Sequence, residues 1–283
     1  MEEALVLALP EDCVAACLFL TSPSDVCRWS LVSTTFRSAC ESDVVWERFL
    51  PSDYQTILSQ STTPLKYSSK KDLFLCLSNS LLIDGGKKSF KLDKSSGKIS
   101  YTLSARDLSI TWSSEPMYWS WVAMPESRFA EVAVIIRMSW LEIKAKISTR
   151  KLSPNTKYGA YLIFKISDRG YGLNLIPSEI SIQVGNDQVH RNTVYLQRIQ
   201  DGKKQQMEHL LYGNRIQMLK SRVCEGEGRV PSERNDGWLE IELGEFFCGD
   251  DDKEVEMSLM EVKGHHFKGG LIVEGIEIRP KHY

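Results

Sequence analysis

Residues 105–121 read Ala-Arg-Asp-Leu-Ser-Ile-Thr-Trp-Ser-Ser-Glu-Pro-Met-Tyr-Trp-Ser-Trp and hold three of the seven tryptophans of the chain. Within this stretch, Ser113–Pro116 has the composition of a turn. Each indole brings a large apolar area and an N–H group that needs a hydrogen-bond partner. Two interpretations are open: the rings are ordinary core at a strand end, or their faces form a shallow binding site for a sugar or a peptide.

The size and composition of the chain indicate a globular protein of one large or two ordinary domains. The sequence has 283 residues, of which 42% are hydrophobic and 25% charged, and the mean hydropathy is -0.25. No apolar run approaches the ~20 residues that cross a bilayer; Val132–Ile136, for example, has five. Ala4–Leu9 is too short for a secretory signal and follows two glutamates, so we expect neither secretion nor a membrane partner.

The cysteines favour a reducing compartment. Their number is odd, and the four in the first forty residues have helical rather than metal-ligand spacing. We therefore expect small buried thiols in a protein of the cytoplasm, the nucleus or both. The seven positions are Cys13, Cys17, Cys27, Cys40, Cys76, Cys224 and Cys248.

The charge of the chain is unevenly spread. The first fifty residues carry a net charge of -5, and the rest carry +3. An acidic amino-terminal segment before a nearly neutral body gives no electrostatic footprint for nucleic acid, so we expect no nucleic-acid partner.

The first fifty residues read as a cluster of short helices. Leu9-Pro10-Glu11-Asp12 and Ser22-Pro23-Ser24-Asp25 are both typical helix starts, because proline suits the first turn and acids complement the helix dipole. So small a unit buries little surface and is marginal on its own. It is therefore either a module that docks on a partner or an ordinary subdomain packed on the body.

Residues 9–50 resemble an F-box. The resemblance rests on Leu-Pro-Glu-Asp from Leu9, on Ser-Asp-Val-Cys-Arg-Trp-Ser-Leu-Val-Ser from Ser24, on Phe36-Arg37 and on Trp46. It implies a three-helix module that docks on the Skp adaptor of Skp–cullin–F-box ubiquitin ligases. The matching hydrophobic positions, and hence the implied adaptor-binding residues, are Leu9, Pro10, Val26, Trp29, Val32 and Trp46.

The connector that follows has a different composition. Residues 51–69 are rich in Ser, Thr, Pro and Gln and are predicted to be a linker, whereas Lys71–Leu82 has helical spacing and is stopped by Asp84-Gly85-Gly86. The alternating segments Phe90–Leu92 and Ile99–Leu103 predict a hairpin. The body is then expected to begin near residue 70 or 85.

Downstream, apolar and polar residues mostly alternate with a period of two, which predicts strands. Without long intervening helices, they indicate an antiparallel β-sandwich or jelly roll. A helix is possible within residues 200–222. The predicted strands begin near Leu141, Tyr158, Ile180, Leu239, Val255 and Leu271.

This body resembles the phloem protein 2 family over residues 85–281. The motifs are Ala-Arg-Asp-Leu-Ser-Ile from Ala105, Tyr-Trp-Ser-Trp from Tyr118 and Asp-Gly-Trp-Leu-Glu-Ile from Asp236. The resemblance implies a lectin that binds N-acetylglucosamine oligomers and the chitobiose core of N-glycans. The implied carbohydrate-binding residues are Trp112, Trp119, Glu254 and Glu261.

The two glutamates raise a geometric question. Residues 254 and 261 are an odd number of positions apart, so on one regular strand they point to opposite faces. Either Glu254 lies in the preceding loop or a bulge intervenes. Glu254 could equally be a plain solvated acid.

The order of the two resemblances is that of the plant F-box PP2-B proteins. The predicted fold class is α+β multidomain, with a three-helix F-box at 1–50, a linker and connecting helix at 51–84 and a mainly antiparallel, jelly-roll-like β-sandwich at 85–283. No nucleotide-binding, nucleophile-elbow or metal-ligand pattern occurs, since His265 and His266 are adjacent and Asp250–Asp252 lacks calcium-loop spacing. We expect no enzyme, cofactor or metal.

The leading hypothesis is a substrate-recognition subunit of a Skp–cullin–F-box ubiquitin ligase whose body binds N-acetylglucosamine-containing glycans or glycoproteins. Its expected partners are a Skp-type adaptor with the cullin ligase core, and a glycoprotein or protein substrate. Two alternatives remain: the same ligase role with a protein rather than a glycan as the recognised feature, or a lectin without a ligase role.

Overall fold

The computed structural model describes residues 11–186, 189–197 and 230–281. Leu9, Pro10 and the segment 200–222 lie outside the described residues. The chain forms two compact units, Met1–Tyr101 and Thr102–Tyr283. In the described parts of the chain, no helix has the length and hydrophobicity of a membrane span.

The described residues of the first unit form six short helices, and serine side chains cap the amino-terminal ends of three of them. Ser22 accepts a hydrogen bond from the Asp25 amide, and Ser33 and Ser69 do the same at their own helix starts. Four short helices, rather than the predicted three, lie in the described residues before position 50. The helices are α1 (Glu11–Leu18), α2 (Pro23–Trp29), α3 (Thr34–Glu41), α4 (Asp43–Glu47), α5 (Tyr54–Ser59) and α6 (Lys70–Leu77).

Trp46 lies at the centre of this unit. Its ring packs against Phe49 and Phe74, with centroid distances of 5.8 and 5.2 Å. Its indole Nε1 donates to the Cys40 carbonyl at 2.6 Å. The indole therefore fastens α4 to the end of α3 and to α6.

The predicted linker is partly ordered. Ile57 in α5 is buried, and the Thr62 amide donates to the Leu82 carbonyl at 3.0 Å. A hydroxyl-rich segment can satisfy its backbone groups by pairing with a strand, and composition does not reveal such pairing.

The connecting helix ends earlier than predicted. It stops at Leu77, and Leu81 belongs instead to β1 (Leu81–Ile83), which pairs with β2 (Lys88–Leu92). Because β2 lies beside α6, this hairpin belongs to the first unit, and the division falls at Tyr101 rather than near residue 85.

The second unit is an antiparallel β-sandwich. One sheet has the order β3-β14-β8-β12-β11, with β6 on β14 and β5 on β6; the other has the order β10-β9-β13-β7-β4. Its strands are β3 (Ile99–Ser104, which begins in the first unit), β4 (Ser109–Ile110), β5 (Trp119–Val122), β6 (Val132–Ile135), β7 (Leu141–Ser148), β8 (Thr156–Tyr171), β9 (Ser178–Val184), β10 (His190–Val194), β11 (Ser232–Glu233), β12 (Leu239–Cys248), β13 (Glu254–Glu261) and β14 (Gly269–Pro280).

Alternating burial confirms the predicted strand pattern. In β7 the side chains from Leu141 to Ile147 at odd positions are buried, while Glu142 and Lys144 face outward. β12 packs across the core against β9 and β13. The α+β architecture predicted from the sequence is confirmed, and the Trp112 turn lies where β4 ends beside β7.

Candidate binding surfaces

The turn after β4 carries an exposed tryptophan in a constrained backbone. Trp112 has a φ of 56°, and its side chain is 45% exposed. A left-handed conformation is uncommon for a bulky residue and is kept only where neighbouring contacts enforce it. The Trp112 ring packs against the Tyr118 ring, with centroids 5.0 Å apart and an interplanar angle of 31°.

The indoles of Trp119 and Trp121 hold the backbone of this turn by hydrogen bonds. Trp119 Nε1 donates to the Thr111 carbonyl at 3.0 Å, and Trp121 Nε1 donates to the Ser113 carbonyl at 3.0 Å. These carbonyls immediately precede and follow Trp112. The crowding of tryptophans in the sequence therefore has a structural cause, since two of them hold the backbone that presents the third.

Trp140 immediately precedes β7, the strand that pairs with β4 next to the same turn. It is 42% exposed, and its Nε1 donates to Glu142 Oε2 at 3.2 Å. The same carboxylate oxygen accepts from Thr111 Oγ1 at 3.1 Å, and the Thr111 amide donates to the Glu142 carbonyl at 3.1 Å. Trp112 and Trp140 thus flank one contact, between Thr111 and Glu142.

The Glu142 carboxylate is held ionised. Hydrogen bonds from Lys144, Trp140 and Thr111 lower the pKa of Glu142 below its ordinary value. We call Trp112, Tyr118 and Trp140 the aromatic platform. Flat aromatic faces beside a fixed anion suit the C–H faces and hydroxyl groups of a sugar.

Trp119, which was predicted to contact a carbohydrate, is buried in the structure. Trp119 is only 2% exposed, and its N–H group is already bonded to the Thr111 carbonyl. A buried ring cannot offer its face to a ligand in solution. Of the two predicted tryptophans, only Trp112 is available.

The predicted glutamates do not form one site. Both lie on β13, which pairs with β7 without a bulge, so neither alternative for their odd spacing applies. Seven strand steps separate them by about 23 Å. Glu254 faces solvent and pairs with Lys146 at 2.7 Å, whereas Glu261 is buried.

Glu261 instead belongs to a buried polar cluster. Its carboxylate forms an ion pair with Lys268, and the Gly264 amide donates to Oε1 at 2.9 Å. Lys268 Nζ also donates to the Ser139 carbonyl at 2.8 Å. The cluster therefore ties the loop before β14 to the residue that precedes Trp140.

His266 borders this cluster, and its burial predicts that the protein loses stability at acidic pH. Burial lowers the pKa of His266 below its ordinary value of about 6.5, while Glu261 opposes and Lys268 reinforces the shift. The unfolded chain then binds more protons, so the free energy of unfolding falls as pH drops through about 6.5. The slope contributed by one proton is at most about 1.4 kcal/mol per pH unit.

We expect His266→Gln to flatten this dependence between pH 7 and pH 5.5, because glutamine keeps a donor for the Gly172 carbonyl, which lies 3.0 Å from Nε2, without titrating. Urea unfolding at several pH values checks this. Equal slopes for both proteins would contradict it.

The predicted adaptor-binding residues divide by exposure. Val26 and Trp46, which were predicted to be docking residues, are buried in the core of the helical unit. Trp29 and Val32 are exposed and remain available to a partner. Leu9 and Pro10 lie outside the described residues.

Several further apolar residues of the helical unit, which were not predicted as docking residues, are exposed. Leu31 is 80% exposed, and Leu20 and Val44 are also exposed. Trp140 and Glu142 were not predicted either, although their i, i+2 spacing at the start of β7 is typical of side chains on one face of a strand. Among the described residues, no group of three or more His, Cys, Asp or Glu side chains is placed to hold a metal ion.

Comparisons with known proteins agree with this two-part structure. The phloem protein 2 family model matches residues 98–280, and the F-box domain model matches residues 6–48.

Similar proteins from Arabidopsis thaliana are F-box protein PP2-B15 (54% identical over 97% of this chain and 97% of the relative), F-box protein PP2-B13 (53% over 97% and 99%) and F-box protein VBF (52% over 98% and 100%). The chain belongs to the plant PP2-B type of F-box proteins, in which an F-box domain is followed by a phloem protein 2 domain.

Proposed function

We propose that this protein is the substrate-recognition subunit of a Skp–cullin–F-box ubiquitin ligase, and that its phloem protein 2 domain binds N-acetylglucosamine-containing glycans. The observation that carries the ligase role is the set of solvent-exposed apolar side chains inside the F-box match at residues 6–48. The set consists of Phe19, Leu20, Trp29, Leu31, Val32 and Val44.

These side chains are costly to leave in water. Exposed apolar residues scattered singly need no explanation, but a group of them on one small unit is typical of a protein interface. The Trp29 ring stacks on Phe36 at 5.5 Å, which fixes it as a rigid anchor with little entropy left to lose on binding. A Skp-type adaptor with an apolar docking surface is the proposed occupant.

The glycan role is supported by the aromatic platform. Indole faces at Trp112 and Trp140 suit the apolar face of a pyranose ring, while Lys144 supplies a partly exposed ammonium group next to Glu142. The site is shallow and preformed, which suits recognition of a sugar at the end or core of a glycan.

A protein substrate is the second candidate, and one observation favours it. Met117 and Ile136 are exposed, and the Ile136 amide donates to the Tyr118 carbonyl. Apolar side chains therefore continue from the platform along its border. Such residues are more typical of polypeptide recognition than of sugar binding.

On either account the chain supplies proximity rather than chemistry. A receptor that holds a substrate close to a ligase core raises its effective concentration there, and the bond-forming steps belong to other subunits. Such a role places the protein in the cytoplasm, the nucleus or both. The thiols of Cys13, Cys17, Cys27, Cys40 and Cys76 are free, which fits a reducing location.

Two binding measurements on the full chain test the proposal. Titration with a purified plant Skp-type adaptor tests the ligase role, and titration with chitotriose against a glucose trisaccharide tests the glycan role. Adaptor binding without chitotriose binding would favour the protein-substrate candidate. Chitotriose binding without adaptor binding would leave a lectin that has no ligase role.

A further inference from the structure

The two exposed tryptophans of the aromatic platform share a structural feature. The carbonyl immediately before each of them is held by a buried group. Trp119 Nε1 bonds the Thr111 carbonyl before Trp112, and Lys268 Nζ bonds the Ser139 carbonyl before Trp140.

We infer that Trp119 and Glu261 are positioning residues, which set the two indole faces of the platform without touching the ligand. The part of this inference that concerns affinity rests on the glycan binding proposed above. It reassigns the two buried members of the residue set that the family resemblance had suggested as sugar contacts.

Trp119 acts on the Trp112 side. The strained backbone of Trp112, with a φ of 56°, needs contacts on both flanks to persist. The Thr111 carbonyl bond to Trp119 supplies one flank, and the Ser113 carbonyl bond to Trp121 supplies the other. Loss of the Trp119 N–H group frees one flank and lets the exposed ring rotate.

Glu261 acts on the Trp140 side through Lys268. The Lys268 side chain is 1% exposed and that of Glu261 is 2% exposed, so the ammonium group stays at the Ser139 carbonyl only while the carboxylate neutralises it. The backbone of Lys268 also pairs with Met138 in both directions, at 2.8 and 3.0 Å. Together these bonds fix residues 138–139 and hence the orientation of Trp140, which follows them directly before β7.

Both sides converge on Glu142. Its Oε2 accepts hydrogen bonds from Thr111 Oγ1 and from Trp140 Nε1. A displacement of Thr111 therefore changes the surroundings of Trp140, and a displacement of Trp140 changes those of Thr111. This coupling makes the Nε1–H resonances of Trp112 and Trp140 direct reporters of the arrangement in the ligand-free protein.

The test uses nitrogen-15-labelled full-length chain and four variants. Trp119→Phe keeps the buried ring and removes the N–H group. Glu261→Leu/Lys268→Met removes both charges together, so that no lone charge is left buried. The matched controls are Trp238→Phe, which loses a buried indole bond to the Glu126 carbonyl at 3.1 Å, and Glu274→Gln, which alters a buried carboxylate bonded to the Arg128 amide at 2.9 Å.

We expect Trp119→Phe to move the Trp112 indole resonance and the charge-free double variant to move that of Trp140, with both leaving the protein folded. Each should weaken chitotriose binding about fivefold, the equivalent of one net hydrogen bond. The two controls should leave both resonances and the affinity unchanged.

Unmoved Trp112 and Trp140 resonances in the ligand-free variants would overturn the inference. A loss of affinity with both resonances in place would also overturn it, because it would assign direct ligand contact to Trp119 or Glu261. If the native protein fails to bind chitotriose but the resonances move as expected, the positioning role stands and only the glycan role fails.

Discussion

Replacing Leu31 and Val32 by aspartate is expected to lower the affinity for a Skp-type adaptor at least about hundredfold. Both side chains are exposed, 80% and 51% respectively, and neither contributes to the core around Trp46. On docking, the side chains of Leu31 and Val32 would be removed from water. Aspartates in their place would bury less apolar area, and their carboxylates would lose water without gaining a partner. A loss of about 3 kcal/mol corresponds to that ratio.

The measurement is isothermal titration of the full chain with the adaptor, alongside urea unfolding of the same variant. Leu75→Asp is the matched control, because Leu75 is an exposed leucine on α6 of the same unit but lies outside the F-box match. The proposed docking surface would be wrong if the double variant were folded and bound as tightly as the native chain. It would also be wrong if Leu75→Asp were equally damaging.

Trp112→Ala is expected to weaken chitotriose binding about thirtyfold, or about 2 kcal/mol. The Trp112 ring is 45% exposed and stands against Tyr118, so it offers a rigid face at little entropic cost. Its removal should hardly change the free energy of unfolding, because the turn remains held by Trp119 and Trp121.

Phe247→Ala is the matched control for this variant. Phe247 is also an exposed aromatic residue of the second unit, on β12, but it lies outside the aromatic platform. Chitotriose titration should show native affinity for this control. If the native chain, Trp112→Ala and Phe247→Ala bind chitotriose equally well, the aromatic platform is not the glycan-binding site. The site would then lie at Glu254 or on another surface.

Period-two alternation made the sandwich strands predictable. In β7 and β13 each inward side chain is buried and each outward one is polar or partly exposed, so pattern alone placed them. The alternation also predicted that Glu254 and Glu261 face opposite ways. The error was to keep both in one site, because β13 is regular over its full length.

The sequence alone does not reveal which apolar residues lie in the core and which are exposed on the surface. Trp46 and Trp29 are both tryptophans in the F-box match, yet the first lies in the core of the unit and the second is exposed. Trp112 and Trp119 divide in the same way. Residues 105–121 therefore contain both a buried ring, as the core interpretation expects, and an exposed ring, on which the binding interpretation remains a prediction.

Long-range contacts account for the rest of what was missed. Glu142 joins Thr111 to Trp140 only because β4 pairs with β7, and a pairing over thirty residues is not visible in local spacing. Likewise, the polar segment after Pro51 was expected to be a linker on the basis of its composition. Its pairing with β1 depends on residues twenty positions away and is not visible in that composition. Local pattern predicts elements, and tertiary pairing decides which side chains meet.

The most direct test of the whole account is a bridging experiment with chitotriose-coated beads. Purified Skp-type adaptor is passed over the beads with the full chain, with Trp112→Ala, with Leu31→Asp/Val32→Asp, or alone. The account predicts that adaptor is retained only with the native chain, because one variant loses the glycan and the other loses the adaptor. Adaptor retention that survives both substitutions, or no retention with a folded native chain, would contradict it.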